Sequence, residues 1–202
     1  MSWELWLSLL LVCTLGAMSP GPSLAVVMRH TVGGGRRNGV IVALAHALGV
    51  AFYAGLTVLG LAAVVVHQPW LYRLVTWAGA AYLAWLGLRA LQSGQGEAFD
   101  VRSVAVSGIR AARDGFAIAL GNPKLIVFFI ALLSQFVTPD MGAGAGWLVV
   151  TTAGGVDGTW YVLVALALSH SRVLPWLQRH AVGIQRVTGV VLLLLAARLV
   201  LG

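Results

Sequence analysis

A chain of 202 residues, 59% hydrophobic and only 9% charged, cannot clothe a water-soluble globule, because soluble domains carry roughly a quarter charged residues. Its 13 basic and 6 acidic residues give a net charge of +7, but the basic residues sit at the ends of apolar runs and form no aromatic-interleaved patch, which excludes nucleic acid as the expected partner. Mean hydropathy is +0.91 and several runs approach the ~20 apolar residues that cross a bilayer, so the expected solvent is lipid.

The chain opens Met1-Ser2-Trp3-Glu4, with no basic stretch ahead of the first apolar run, and further spans follow. That run therefore reads as a retained helix rather than a cleaved signal. Six apolar segments follow one another, at about 3–28, 40–66, 70–91, 115–137, 145–169 and 182–200. A backbone in hydrocarbon must satisfy its own hydrogen bonds, so each is expected to be a helix.

The first segment contains the lone Cys13, which excludes an internal disulfide and reads as a small apolar filler. It is interrupted by Ser19-Pro20-Gly21-Pro22, with Gly16 one turn earlier. The connection after it carries Arg29, Arg36 and Arg37. Gly33-Gly34-Gly35 lacks the lysine-serine or lysine-threonine ending of a phosphate loop, so ATP hydrolysis is not expected. The second segment places His46 near mid-depth, and its Gly49, Gly55 and Gly60 are expected to let a neighbouring backbone approach. The second connection holds only Arg73. After the third segment comes the longest polar stretch, with Arg102, Arg110 and Arg113 beside Glu97, Asp100 and Asp114.

The fourth segment is interrupted by Gly121-Asn122-Pro123-Lys124, and the connection beyond it contains Asp140 and no base. The fifth centres on Gly154-Gly155-Val156-Asp157-Gly158, whose Gly155 and Gly158 again suggest close packing. The last connection carries Arg172, Arg179 and Arg186, and Ser169-His170-Ser171-Arg172 reads as a helix cap. Odd connections are rich in arginine and even ones poor, which places the odd ones in the cytoplasm and both termini outside; Arg198 stands against this. Trp3, Trp6, Trp70, Trp147 and Trp176 lie near segment ends and read as interfacial anchors.

The expected fold is an all-α membrane protein of about six transmembrane helices, arranged as two inverted three-helix repeats with proline-broken helices 1 and 4. It forms a single integral-membrane domain over 1–202, with a first half 1–92, a cytoplasmic loop 93–113 and a second half 114–202. An odd number of spans per half forces the halves into opposite orientations. The two breaks open corresponding helices, and paired interruptions of this kind point to a midplane transport site. Proline and glycine there free backbone amides at the start of a new half-helix, where partial positive charge can seat a carboxylate. A packing kink is the plainer alternative.

The buried ionisable residues fit the same picture. A charge at the bilayer centre costs at least ~2.5 kcal/mol, so it should face the bundle interior and be partnered. Lys124 and Asp157 are the pair expected from depth, either as a structural ion pair or as a site in which Asp157 meets a substrate ammonium while Lys124 and the breaks meet its carboxylate. Histidine is the side chain best suited to exchanging protons under physiological conditions, so His46 fits a proton relay with Asp157 or a hydrogen-bonded structural role. Tyr53, Tyr82 and Tyr161 bring hydroxyls to a polar cavity or act as packing aromatics. No metal spacing, nucleophile elbow or catalytic triad stands out, and no cofactor is expected.

Taken together, Ser19-Pro20-Gly21-Pro22, Gly35-Arg36-Arg37-Asn38-Gly39, the run Trp77-Ala78-Gly79-Ala80-Ala81-Tyr82-Leu83-Ala84-Trp85-Leu86-Gly87, Asp114-Gly115-Phe116, Asn122-Pro123-Lys124, Phe128-Phe129 and Gln135-Phe136-Val137 resemble, in order and spacing, the LysE/RhtB family of amino-acid exporters. The resemblance implies a secondary transporter of the bacterial inner membrane, not an enzyme, that exports amino acids or their derivatives, with Pro20, Gly21, Pro22, Asn122, Pro123 and Lys124 as signature positions. Ser23, Ser134 and Ala45 depart from the family's common asparagine or aspartate, proline and glycine. A cation or metal exporter, which would need several carboxylates at mid-depth, and a membrane-embedded protein that transports nothing are the rival expectations. The glycine-rich faces also allow a homodimer.

Overall fold

In the computed structural model the described residues are 1–19, 21–67, 69–92, 107–133, 136, 141–168 and 173–201. They form seven α-helices and no strand. Pro20, most of the expected loop 93–113, Asp140 and the expected cap at 169–172 lie outside the described residues.

Helix α1, Trp3–Met18, starts where the Ser2 hydroxyl accepts the Leu5 N–H, with Glu4 in its first turn, a favourable charge at the positive end of a helix. It ends at Ser19, whose backbone is extended. Helix α2, Pro22–His67, starts immediately beyond, with the Gly21 carbonyl taking the Ala25 N–H and proline in the first helical position, where its missing N–H costs nothing. The remaining helices are α3 Pro69–Gln92, α4 Gly108–Gly121, α5 Pro123–Leu133, α6 Ala143–Leu168 and α7 Val173–Leu201.

Three boundaries differ from expectation. The arginine-bearing connection at 29–39 is not a loop. Helical geometry persists on both sides of Gly35, which alone turns the chain with φ 75° and ψ 175°. Glycine adopts a positive φ at no steric cost, so one residue suffices. Helix α4 starts inside the expected cytoplasmic loop, capped by the Ser107 hydroxyl. Helix α7 starts well before 182, with Pro175 tolerated in its first turn.

The middle of the molecule is α2, packed against α6 and α4, while α3 packs on α7 and α5, and α1 on α6. Small residues set these approaches. Gly49 lies against Ala119, Gly115 against the Val42 carbonyl, and Gly154 and Gly158 against Ala47 and Ala51. The expected approaches at Gly55, Gly60 and Gly155 are not made, since these face open space, and Gly154 takes the role assigned to Gly155. The α3–α7 crossing is reciprocal: a side chain on Gly87 would meet the Gly189 carbonyl and Leu193, and one on Gly189 would meet the Gly87 carbonyl and Leu91.

Polarity runs opposite to that of a soluble protein. Leu48, Leu59, Trp77, Trp147 and Leu194 lie on the outside, Leu59 at 75% exposure, while Ser23, His46, Asn122 and Asp157 are buried, His46 completely. Lipid as solvent accounts for both halves of that distribution. Among the described residues, Pro22–Gly60 and Ala143–Leu168 are long and apolar enough to cross a bilayer.

Candidate functional site

The site is built where two helix junctions meet. At the first, α1 stops at Met18 and α2 starts at Pro22; at the second, α4 stops at Gly121 and α5 starts at Pro123. The junctions share a local design. Gly21 and Asn122 each give a carbonyl to the first intrahelical bond, from Ala25 and Ile126 respectively, and a proline follows each. Asn122 adds its side chain, Oδ1 accepting the Lys124 N–H at 3.0 Å, so it is a true N-cap for α5. Ser23 and Lys124 thus occupy equivalent positions, second in their helices.

The junctions touch. Lys124 Nζ donates to the Ser19 carbonyl at 2.9 Å and also to the Ser19 hydroxyl. Asn122 Nδ2 donates to Ser23 Oγ at 3.0 Å, and the nearest side-chain atoms beside Gly21 belong to Lys124. Close to them, α1 and α5 are pressed together where Gly16 meets the Phe128 ring.

From Ser23 a buried polar chain leads into α2 and α6. His46 Nε2 lies 2.9 Å from Ser23 Oγ, and His46 Nδ1 lies 2.7 Å from Asp157 Oδ2. One assignment of protons satisfies every member: Asn122 donates to Ser23, Ser23 donates to His46 Nε2, and His46 donates from Nδ1 to Asp157. Tyr161 closes the side, its ring edge-on to the imidazole at 5.1 Å. His46 stands eleven residues past the Gly35 bend, ~16 Å along the helix axis, so the chain lies deep in the bundle.

Asp157 is held by His46, and the Lys124 ammonium reaches Ser19, which is not the Lys124–Asp157 pairing that depth alone suggested. Gly21, Pro22, Asn122, Pro123 and Lys124 are at the meeting point of the junctions, and His46 and Asp157 lie one and two hydrogen bonds further in through Ser23. Ser19 and Ser23 were not among the expected site residues, although they flank the Pro20-Gly21-Pro22 interruption as hydroxyls in an otherwise apolar run.

Contrary to expectation, Ser23, His46 and Asp157 stand in the order of a Ser-His-Asp triad. Hydrolysis needs an exposed hydroxyl and donors aimed at an oxyanion. Ser23 is 4% exposed, and its oxygen already accepts from Asn122. Of the aromatic residues read from position alone, Tyr53 stacks on Phe129, and Trp6 donates to Thr152 at 3.1 Å, a helix-to-helix contact. A second polar cluster joins α2 to α4: Asp114 Oδ2 lies 3.3 Å from Arg29 and 3.1 Å from His30.

Comparison with known proteins agrees with the motifs. The family described as LysE type translocator matches residues 14–202. The threonine efflux protein of Escherichia coli (strain K12) is 27% identical over 88% of this chain and 91% of its own length. The homoserine/homoserine lactone efflux protein of Salmonella typhimurium is 29% identical over 88% of this chain and 86% of its own. The uncharacterized membrane protein YahN of Escherichia coli (strain K12) is 30% identical over 90% and 82%. No solved structure matches.

Proposed function

Since the chain belongs to the LysE type translocator family, we propose that it is a secondary transporter exporting amino acids or amino-acid derivatives across the bacterial inner membrane. The observation that carries this reading is the contact between the two helix junctions, Ser19 to Lys124 and Ser23 to Asn122, beside a buried carboxylate. An amino acid is a zwitterion. The half-helix starts at Pro22 and Pro123, with Lys124, suit its carboxylate, and Asp157 suits its ammonium. His46, bonded to Asp157 on one side and Ser23 on the other, is placed to pass a proton as the ammonium arrives or leaves, which couples export to proton exchange. The names of the efflux relatives support an amino-acid substrate of the threonine and homoserine kind.

In this reading the seven helices are six spans in two inverted halves. Residues 3–34 form the first span with its break, 36–67 the second and α3 the third; α4 with α5, α6 and α7 repeat the pattern in the opposite sense. The reciprocal Gly87–Gly189 contact supports it, because Leu91 and Leu193 are separated by the same sequence spacing as those glycines. The halves would then rock about the shared site to open it to each side in turn.

Purified protein in lipid vesicles tests the proposal by counterflow of radiolabelled threonine and homoserine. The wild type is expected to exchange label. Asp157→Asn is expected to lose at least about tenfold in rate, a ~1.4 kcal/mol deficit, with an unchanged gel-filtration profile. A wild-type protein that moves no amino acid from a broad panel sinks the reading. A hydrolase reading of Ser23 predicts labelling by a fluorophosphonate probe, and none is expected.

A further inference from the structure

The polar cluster that joins α2 to α4 lies outside the junction site, on the two half-helices that lead away from it. Residues 22–34 run from the Pro22 junction to the Gly35 bend, and α4 runs from its Ser107 cap to the junction at Asn122. His30 is seven residues beyond Ser23, and Asp114 is eight before Asn122. The cluster therefore stands ~10–12 Å from the junctions along both helices. One oxygen, Asp114 Oδ2, accepts from Arg29 at 3.3 Å and from His30 Nε2 at 3.1 Å, and hydrogen bonds to an ionised partner are the strong ones. The His30 side chain is 1% exposed, whereas Arg29 reaches the rim at 41%.

Between the cluster and the site lies a plug of buried apolar side chains. Leu24, Val27, Met28, Val42 and Ala111 form one cluster with Tyr161, whose ring meets His46. A polar solute cannot pass between residues 22–34 and α4 while these side chains stay packed. The other half shows that the fold needs no charge at such a contact. Matching Pro22 to Pro123 makes α1 and α5 the equivalents of α4 and residues 22–34. The positions of Asp114, Arg29 and His30 then fall to Cys13, Ile130 and Ala131, and α1 meets α5 where Gly16 abuts the Phe128 ring. A tie that served only to join two half-helices would be expected in both halves.

We propose that Asp114, Arg29 and His30 are the inner gate of the transport path: a charged latch that holds residues 22–34 against α4 over the apolar plug and parts when a solute enters from the cytoplasm. The inference rests on the exporter reading. Arg29, at the rim, exchanges the carboxylate for water at small cost. Buried His30 gives up its partner only if the half-helices separate, because a polar group left unpaired in the interior is costly. The latch is therefore either made or parted, as a two-state element requires.

Thiol labelling on a Cys13→Ser background tests it. Met28→Cys, in the plug, is expected to react slowly with a membrane-impermeant maleimide applied to the cytoplasmic face of everted vesicles. Adding Asp114→Asn should speed that reaction about tenfold, the effect of losing one charge-assisted bond, and Asp114→Glu should restore most of the protection. Leu24→Cys reports the same plug if Met28→Cys does not fold, and Arg29→Gln, which leaves the His30 bond, replaces Asp114→Asn on the same ground. Leu9→Cys, on the α1 face that carries Gly16, reports the outer side. Asp114→Asn should slow its labelling from the outer face about threefold, because a state opened inward is closed outward. If Asp114→Asn instead speeds labelling at both cysteines, the cluster is a structural tie and the gate is wrong. The gate is equally wrong if labelling of the plug does not change while the wild type shows counterflow, though export stands. If the wild type shows no counterflow at all, the exporter reading falls and takes the gate with it.

Discussion

Ser23 carries more of the site than its size suggests, because its single oxygen accepts from Asn122 and donates to His46 in the protein's interior. Removing that oxygen takes a buried partner from Asn122, His46 and Tyr161 alike, and each group so orphaned costs about 1–3 kcal/mol. Ser23→Ala should therefore lower the detergent melting temperature as well as the transport rate. Ser23→Asn keeps both a donor and an acceptor and should retain most of the stability. If Ser23→Ala melts with the wild type, the hydrogen-bonded chain drawn here is wrong. At this scale the sequence identified the ingredients and mispaired them. His46, Lys124, Asn122 and Asp157 are conspicuous as polar groups in apolar runs, but depth along an axis does not say which helix faces which. The carboxylate went to the imidazole across the α2–α6 contact, and the ammonium to the end of α1.

Elements were legible in proportion to how strongly their chemistry restricts the backbone. Proline at 22 and 123 lacks an N–H and suits a first helical position, so both junctions could be placed from sequence. The bend at Gly35 could not, because three consecutive glycines and a following arginine pair suit a loop as well as a single-residue turn. Glycine at helix contacts was legible only as a possibility. Gly189→Ala puts a methyl about 2.7 Å from the Gly87 carbonyl oxygen, and overpacking of this kind costs about 1–3 kcal/mol. Gly87→Ala should cost about as much, since the contact is reciprocal. Gly155→Ala meets nothing within 4 Å and should stay within about 0.5 kcal/mol of wild type, as open-surface changes do. Chemical denaturation in mixed micelles would rank the three, and equal effects at Gly155 and Gly189 would overturn the proposed α3–α7 crossing.

For the whole molecule, the distribution of arginine predicts the orientation. The starts of α4 and α7 and the Gly35 bend carry the bases, and such segments stay in the cytoplasm. Alkaline phosphatase joined after Gly202 should then be active, being exported, and the same enzyme inserted between Gln92 and Ser107 should be silent. The reverse pattern would turn the molecule over.

Composition and the order of apolar runs determined by themselves that this chain lives in lipid as a set of helices, because burial of backbone polar groups in hydrocarbon leaves no other choice and needs no knowledge of neighbours. The two junctions followed from proline chemistry, which is equally local. Only the tertiary structure decided that the junctions touch and that Ser23 links Asn122 to His46. These are contacts between residues far apart in the chain, chosen by helix packing among alternatives that a one-dimensional pattern leaves equivalent.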